Sequence, residues 1–240
     1  MAAFIRFSNV TVQYPIYNAR SMSLRNQLIR ISTGGRIESE AGHVQIVTAL
    51  ENASFEINHG DAVALVGHNG AGKSTLLRTM AGVYTPVSGT IEREGRVATV
   101  IDIGTGIDPE LTGYENILRM SMLLGLRKQE ALERVSDIES FTQLGNFLQL
   151  PVRTYSAGMA TRLMFAIATS TKPDILLVDE VFGTGDAEFQ AKAEQRMLDL
   201  IHSVGIFVFA SHDMALAKKY CTRFFKLEHG HLTEVSINDV

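Results

Sequence analysis

The stretch that most restricts the fold is AVALVGHNGAGKSTLLRTMAG, residues 62–82. An unbroken apolar run, AVALV, suits a strand covered on both faces, and the segment after the loop has the composition of a helix. Between them lies GHNGAGKST, in which glycines permit a tight curl that turns successive backbone N–H groups inward. Gly67, four residues, Gly72, Lys73 and Ser74 form a phosphate-binding loop. In that reading Gly67, His68, Asn69, Gly70, Ala71, Gly72, Lys73, Ser74 and Thr75 surround a polyphosphate, with the Lys73 charge on the β- and γ-phosphates and the Ser74 hydroxyl on Mg²⁺. The positive end of the following helix points at the same anion. A strand, a phosphate loop and a helix in that order demand an α/β core and imply a nucleoside triphosphate ligand.

Composition removes other classes. With 240 residues, of which 45% are hydrophobic, the chain can bury a sizeable core as one domain. No stretch approaches the length of a membrane span, and the opening MAAFIRFSNV lacks the pattern of a signal peptide. The single cysteine, Cys221, excludes an internal disulfide and fits a reducing, cytoplasmic setting, where it reads as a packed thiol. A net charge of −4 argues against nucleic acid as the main ligand, since that affinity comes largely from Lys and Arg on phosphates.

Along the chain, FIRFSNVTVQYP, VQIVTALENASFEI and GTIEREGRVATVI are β-rich, which predicts an antiparallel sheet beside the loop-bearing strand. ILLV (175–178) and IFVFA (206–210) are continuously apolar and flank the helical EFQAKAEQRMLDLI, so they predict a parallel βαβ unit. Residues 112–171 turn helical and predict an inserted α-helical subdomain. Residues 18–31, NARSMSLRNQLIRI, predict a basic amphipathic helix that interrupts the N-terminal sheet, followed by a polar loop, STGGRIESEAGH. Its arginines, Arg20, Arg25 and Arg30, form either a solvated face or a surface for an acidic partner.

Two further motifs refine the chemistry. ILLVDE ends a buried strand with acids where parallel sheets bind ligands: Asp179 is placed to hold Mg²⁺ and Glu180 to orient an attacking water. YSAGMATRLMFAIA puts Ser156, Ala157, Gly158 and Met159 at the start of an amphipathic helix, a second anion-binding helix terminus. The order is then phosphate loop, helical insert, SAGM, ILLVDE and His212 in ASHD.

In that order the chain resembles the nucleotide-binding subunit of an ATP-binding cassette transporter over nearly all its length. The resemblance implies a single nucleotide-binding domain over 1–240: a P-loop NTPase core of ABC ATPase type with an N-terminal antiparallel β subdomain and an inserted α-helical subdomain. It implies ATP and Mg²⁺ and catalytic roles for Lys73, Glu180 and His212. A D-loop falls around Gly185 and Asp186, and either Tyr14 or Tyr17 matches the aromatic that stacks on adenine. Two copies would sandwich two ATP molecules, the signature of one chain over the phosphate loop of the other.

Departures narrow the branch. Ala157 and Met159 replace the usual Gly and Gln of the signature, and DIGTGIDPELTGYENI contains no glutamine where a Q-loop would supply a metal ligand. With DEVFGTGDAEFQ and the basic helix, these resemble exporters of O-antigen, capsule or teichoic-acid glycans. That branch implies a separate integral membrane permease, a lipid-linked polysaccharide substrate, and a location on the cytoplasmic face of the inner membrane. The carbohydrate-binding domain of some members is not expected here. The alternatives are a transporter subunit of another class, or a soluble ATPase of the same type acting on nucleic acid or ribosomes; a regulatory nucleotide-binding module is disfavoured by intact Lys73, Asp179, Glu180 and His212.

Overall fold

The computed structural model describes residues 2–17, 37–40, 44–100, 106–179 and 187–238. The described chain begins with β1 (Phe4–Tyr17), β2 (Ile37–Glu40), β3 (Val44–Asn58), β4 (Ala62–Val66), α1 (Lys73–Met80), β5 (Ser88–Glu94) and β6 (Val97–Val100). A helical stretch follows, α2 (Gly113–Leu123), α3 (Lys128–Thr142) and α4 (Ala157–Ala168). The chain then continues with β7 (Ile175–Asp179), α5 (Ala187–Ser203), β8 (Ile206–Ala210), α6 (Met214–Tyr220), β9 (Arg223–Glu228) and β10 (His231–Val235).

Two sheets result. One is antiparallel, in the order β2-β3-β1-β5. The other has the order β10-β9-β4-β8-β7-β6, parallel throughout except for β10. Strands β4, β7 and β8 are buried on both faces, which explains their continuously apolar sequences. Alternation still sorts them: Leu65, Leu177 and Val208 join Ile5, Phe7, Ile57, Leu76 and Leu77 in the core under α1 and the antiparallel sheet. Leu176, Val178, Phe207 and Phe209 face the opposite way, onto Phe165, Met197 and Phe224. The helical stretch carries its own core of Ile117, Ile138, Leu148, Leu163 and Ile167.

What fastens that helical stretch to the sheet is local and specific. Arg196 on α5 lies over the Phe141 ring at 4.4 Å, donates to Thr169 Oγ1 at 2.9 Å and pairs with Asp137. Phe141, Phe165 and Phe189 pack around the same junction.

Two expectations are corrected. The run GTIEREGRVATVI is not one antiparallel unit. β5 pairs with β1, but β6 crosses to the parallel sheet and pairs with β7 from Val97↔Ile175 to Val100↔Val178. Gly95, at φ +112°, turns the chain between them, a conformation that an L side chain resists. The polar segment STGGRIESEAGH also contains β2, an edge strand paired with β3. An edge strand needs only backbone groups to pair, so its sequence carries little apolar alternation. The expected basic helix at 18–31 lies outside the described residues.

Candidate functional site

The phosphate loop hangs from the carboxyl end of β4, at the centre of the parallel sheet. Gly67, Gly70 and Gly72 all have positive φ (+150°, +80° and +112°), so the glycine pattern is a backbone requirement. Gly72 is the N-cap of α1 and no side chain caps that helix. Three other helices do have such a cap: Thr112 accepts from Glu115 N on α2, Ser156 from Met159 N on α4, and Asp213 from Ala215 N and Leu216 N on α6. The start of α1 is left without a side-chain acceptor, so its N–H groups are available to an anion.

Lys73 opens α1 and is 8% exposed. Its Nζ donates to Gly67 O at 2.6 Å and to His68 O at 3.1 Å, which ties the lysine across the loop it follows. An ammonium has three N–H donors, so one remains for a phosphate oxygen. Burial pushes the Lys73 pKa below its ordinary 10.5, and the charge of Asp179 acts in the opposite direction. Asp179 ends β7 beside Ala210, the last residue of β8.

Past β8, Ser211 N donates to Leu65 O and Ser211 Oγ accepts from Asp213 N at 2.9 Å. These bonds fix the turn that carries the exposed His212 at the carboxyl edge of the sheet. Lys73, Ser74, Asp179 and His212 thus come from three neighbouring strands, β4, β7 and β8, at the edge where open parallel sheets bind ligands. Tyr14 is 40% exposed on β1. Glu180, Gly185 and Asp186 lie outside the described residues, and of Tyr17 only the backbone register on β3 is described.

Ser156 and Met159 border a separate hollow of about 550 Å³, lined also by Phe147 and Arg162. None of the phosphate-loop residues lines it. Within one chain, then, the hollow at the SAGM helix start is not shared with the phosphate loop.

The sequence profile of the ABC transporter family matches residues 50–183. The chain belongs to that family. Among curated relatives, the cassette is 64% identical to the O-antigen export system ATP-binding protein RfbE of Yersinia enterocolitica, over 97% of each chain. It is 40% identical to the O-antigen export system ATP-binding protein RfbB of Klebsiella pneumoniae, over 98% of this chain and 94% of that one. It is 36% identical to the teichoic acids export ATP-binding protein TagH of Bacillus anthracis, over 96% of this chain and 40% of that one. Its fold is that of the dimeric ATP-binding cassette MJ0796 with ADP and Pi, at a TM-score of 0.70 with 20% identity over 97% of this chain and 98% of that one.

ATP is accordingly the nucleotide of this cassette. The donors at the mouth also suit a hard divalent cation. A serine hydroxyl and a carboxylate offer oxygen ligands only, and the described residues contain no group of three His, Cys, Asp or Glu side chains able to hold a metal alone. Mg²⁺ held by Ser74 and Asp179 together with phosphate oxygens fits that set, and when bound it neutralises charge on the phosphates.

Three features here were not read from the sequence. The His68 ring in the phosphate loop packs against His229 of the β9–β10 turn with centroids 5.6 Å apart, while its Nδ1 donates to Asn69 O at 2.8 Å. Only the pairing of β4 with β9 brings that turn to the loop. Asn116, fully buried, accepts from Asp108 N and donates to the carbonyls of Asp108, Leu111 and Thr112. It knots the segment just beyond the position of the missing Q-loop glutamine. The signal was present in GYENI, since a polar residue at an inward helical position needs internal partners. Arg196 gave no comparable signal.

Proposed function

We propose that this chain is the ATP-hydrolysing subunit of a polysaccharide exporter. It powers the passage of a lipid-linked, O-antigen-like glycan through a separate integral membrane permease, from the cytoplasmic face of the inner membrane. The observation that carries this reading is the 64% identity to an O-antigen export ATP-binding protein across 97% of both chains. No helix among the described residues is long and apolar enough to cross a membrane, in keeping with a separate permease.

In this reading Lys73 and the loop N–H groups bind the β- and γ-phosphates. Ser74 and Asp179 hold Mg²⁺, Glu180 orients the attacking water and His212 contacts the γ-phosphate. Tyr14 stacks on adenine. Ser156, Ala157, Gly158 and Met159 of one chain complete the site of a second copy, as their separate cavity favours. ATP closes the pair and hydrolysis reopens it, a population shift that the permease converts into movement of substrate. The arginines of residues 18–31 supply a positive face suited to an anionic lipid head at the membrane.

The test is genetic and biochemical together. In a strain whose own cassette gene of this type is deleted, co-expression with the permease should restore surface glycan. Glu180→Gln should abolish export while ATP still binds and holds the dimer closed. Replacing Arg20, Arg25 and Arg30 with glutamine should lower export at matched protein level and leave the ATPase rate of the isolated subunit nearly unchanged. Normal glycan from Glu180→Gln would remove Glu180 from catalysis, and normal glycan from the triple variant would leave that segment as a solvated surface.

A further inference from the structure

β9 and β10 are joined by a two-residue turn, His229–Gly230, since Glu228 pairs directly with His231. Both turn residues have positive φ, +49° and +86°, the pattern of a type I′ hairpin turn. The residues favoured at the first position are asparagine, aspartate and glycine, so histidine is not what the turn itself selects. What the His229 ring meets is the phosphate loop. Its centroid lies 5.6 Å from that of His68, with the two planes at 52°, within the range over which aromatic rings attract.

Both ends of this contact are fixed. On the turn side, Glu51 N of β3 donates to Gly230 O at 2.9 Å, and His231 Nε2 lies 3.6 Å from the Glu51 carboxylate. On the loop side, His68 Nδ1 donates to Asn69 O and His68 O accepts from Lys73 Nζ. The ring contact therefore joins the antiparallel sheet to the loop that Lys73 spans. β3 is also the strand whose Val47 pairs with Tyr14 on β1.

We propose that His229 is a positioning residue for nucleotide binding, acting through His68 to hold the phosphate loop in its binding shape before the nucleotide arrives. Neither ring needs to touch a phosphate. A glycine-rich loop has many conformations open to it, and apparent affinity is scaled down by the fraction of chains already in the binding one. One aromatic contact shifts such a fraction a few-fold, so the effect falls on affinity and not on the chemical step. This role is independent of what the cassette exports.

The experiment uses the full-length protein and reads the dissociation constant of mant-ADP by fluorescence titration, with KM and kcat of ATP hydrolysis beside it. His229→Asn removes the ring and suits the turn. It should weaken mant-ADP binding about threefold and raise KM in step, with kcat within about twofold of wild type. His229→Gly, equally suited to the turn, should act alike. The thermal midpoint without nucleotide should not fall in either variant, which separates lost positioning from lost folding. In a His68→Asn background, where the contact is already absent, His229→Asn should weaken binding no further. Unchanged mant-ADP affinity in both turn variants, a loss of equal size in the two backgrounds, or a fall in kcat at unchanged KM would each overturn the role.

Discussion

The carbonyl oxygen of Leu227 stands 2.4 Å from the point where a Cβ on Gly67 would sit. β9 runs parallel to β4 with Leu65↔Phe225 and Val66↔Lys226 in register, so the end of one strand closes over the loop that leaves the other. Gly67 is therefore required twice, by its φ of +150° and by this approach. Gly70, at φ +80°, has nothing within 4 Å of its added Cβ and is required once. Gly67→Ala should destabilise the protein by more than the roughly 1–3 kcal/mol of backbone strain expected for Gly70→Ala. Urea denaturation of both variants measures the difference, and equal losses would mean that the Leu227 carbonyl yields freely.

Lys73 predicts a pH dependence of nucleotide affinity. In the free protein burial holds its pKa below 10.5, and a bound triphosphate raises it, so binding takes up a proton in the window between. Affinity should fall as pH rises through the free-protein value, by up to about tenfold per unit. Stability moves the other way. In the window between the depressed folded value and 10.5, the unfolded chain binds more protons, so stability without nucleotide rises with pH. Fluorescent ATP titrations from pH 7 to 10 test the first claim. The slope should vanish in Lys73→Ala, whose affinity should be much lower throughout.

A composite site between two chains predicts complementation. A mixed dimer of one Ser156→Arg chain and one Lys73→Ala chain keeps one undamaged site, because both lesions fall on the other. ATP turnover by the mixture, with almost none from either homodimer, is the expected outcome. If the mixture is as inactive as its parents, the trans arrangement loses its support.

Cys221 is 5% exposed, at the end of α6, and burial pushes its thiol up to about 12. At neutral pH almost none of it is thiolate, the nucleophilic form. Native protein should react with a chromogenic disulfide reagent far more slowly than urea-unfolded protein does, and ATP should change neither rate. Rapid labelling of the folded chain would contradict this burial.

Local chemistry wrote some of this protein directly into its sequence. Glycines at 67, 70 and 72, followed by Lys73 and Ser74, specify a phosphate cradle because backbone reach and charge over nine residues suffice to make one. The apolar runs at 62–66, 175–178 and 206–210 specify buried parallel strands for the same reason. Other features came only with tertiary structure. The departure of Val97–Val100 from β5 to the parallel sheet, the Leu227 carbonyl over Gly67, the His229 ring on His68 and the hold of Arg196 on Phe141 each join segments far apart in the chain. Which distant strand becomes a neighbour is settled by burying both faces of the sheet at once, a condition on the whole chain that no local pattern contains.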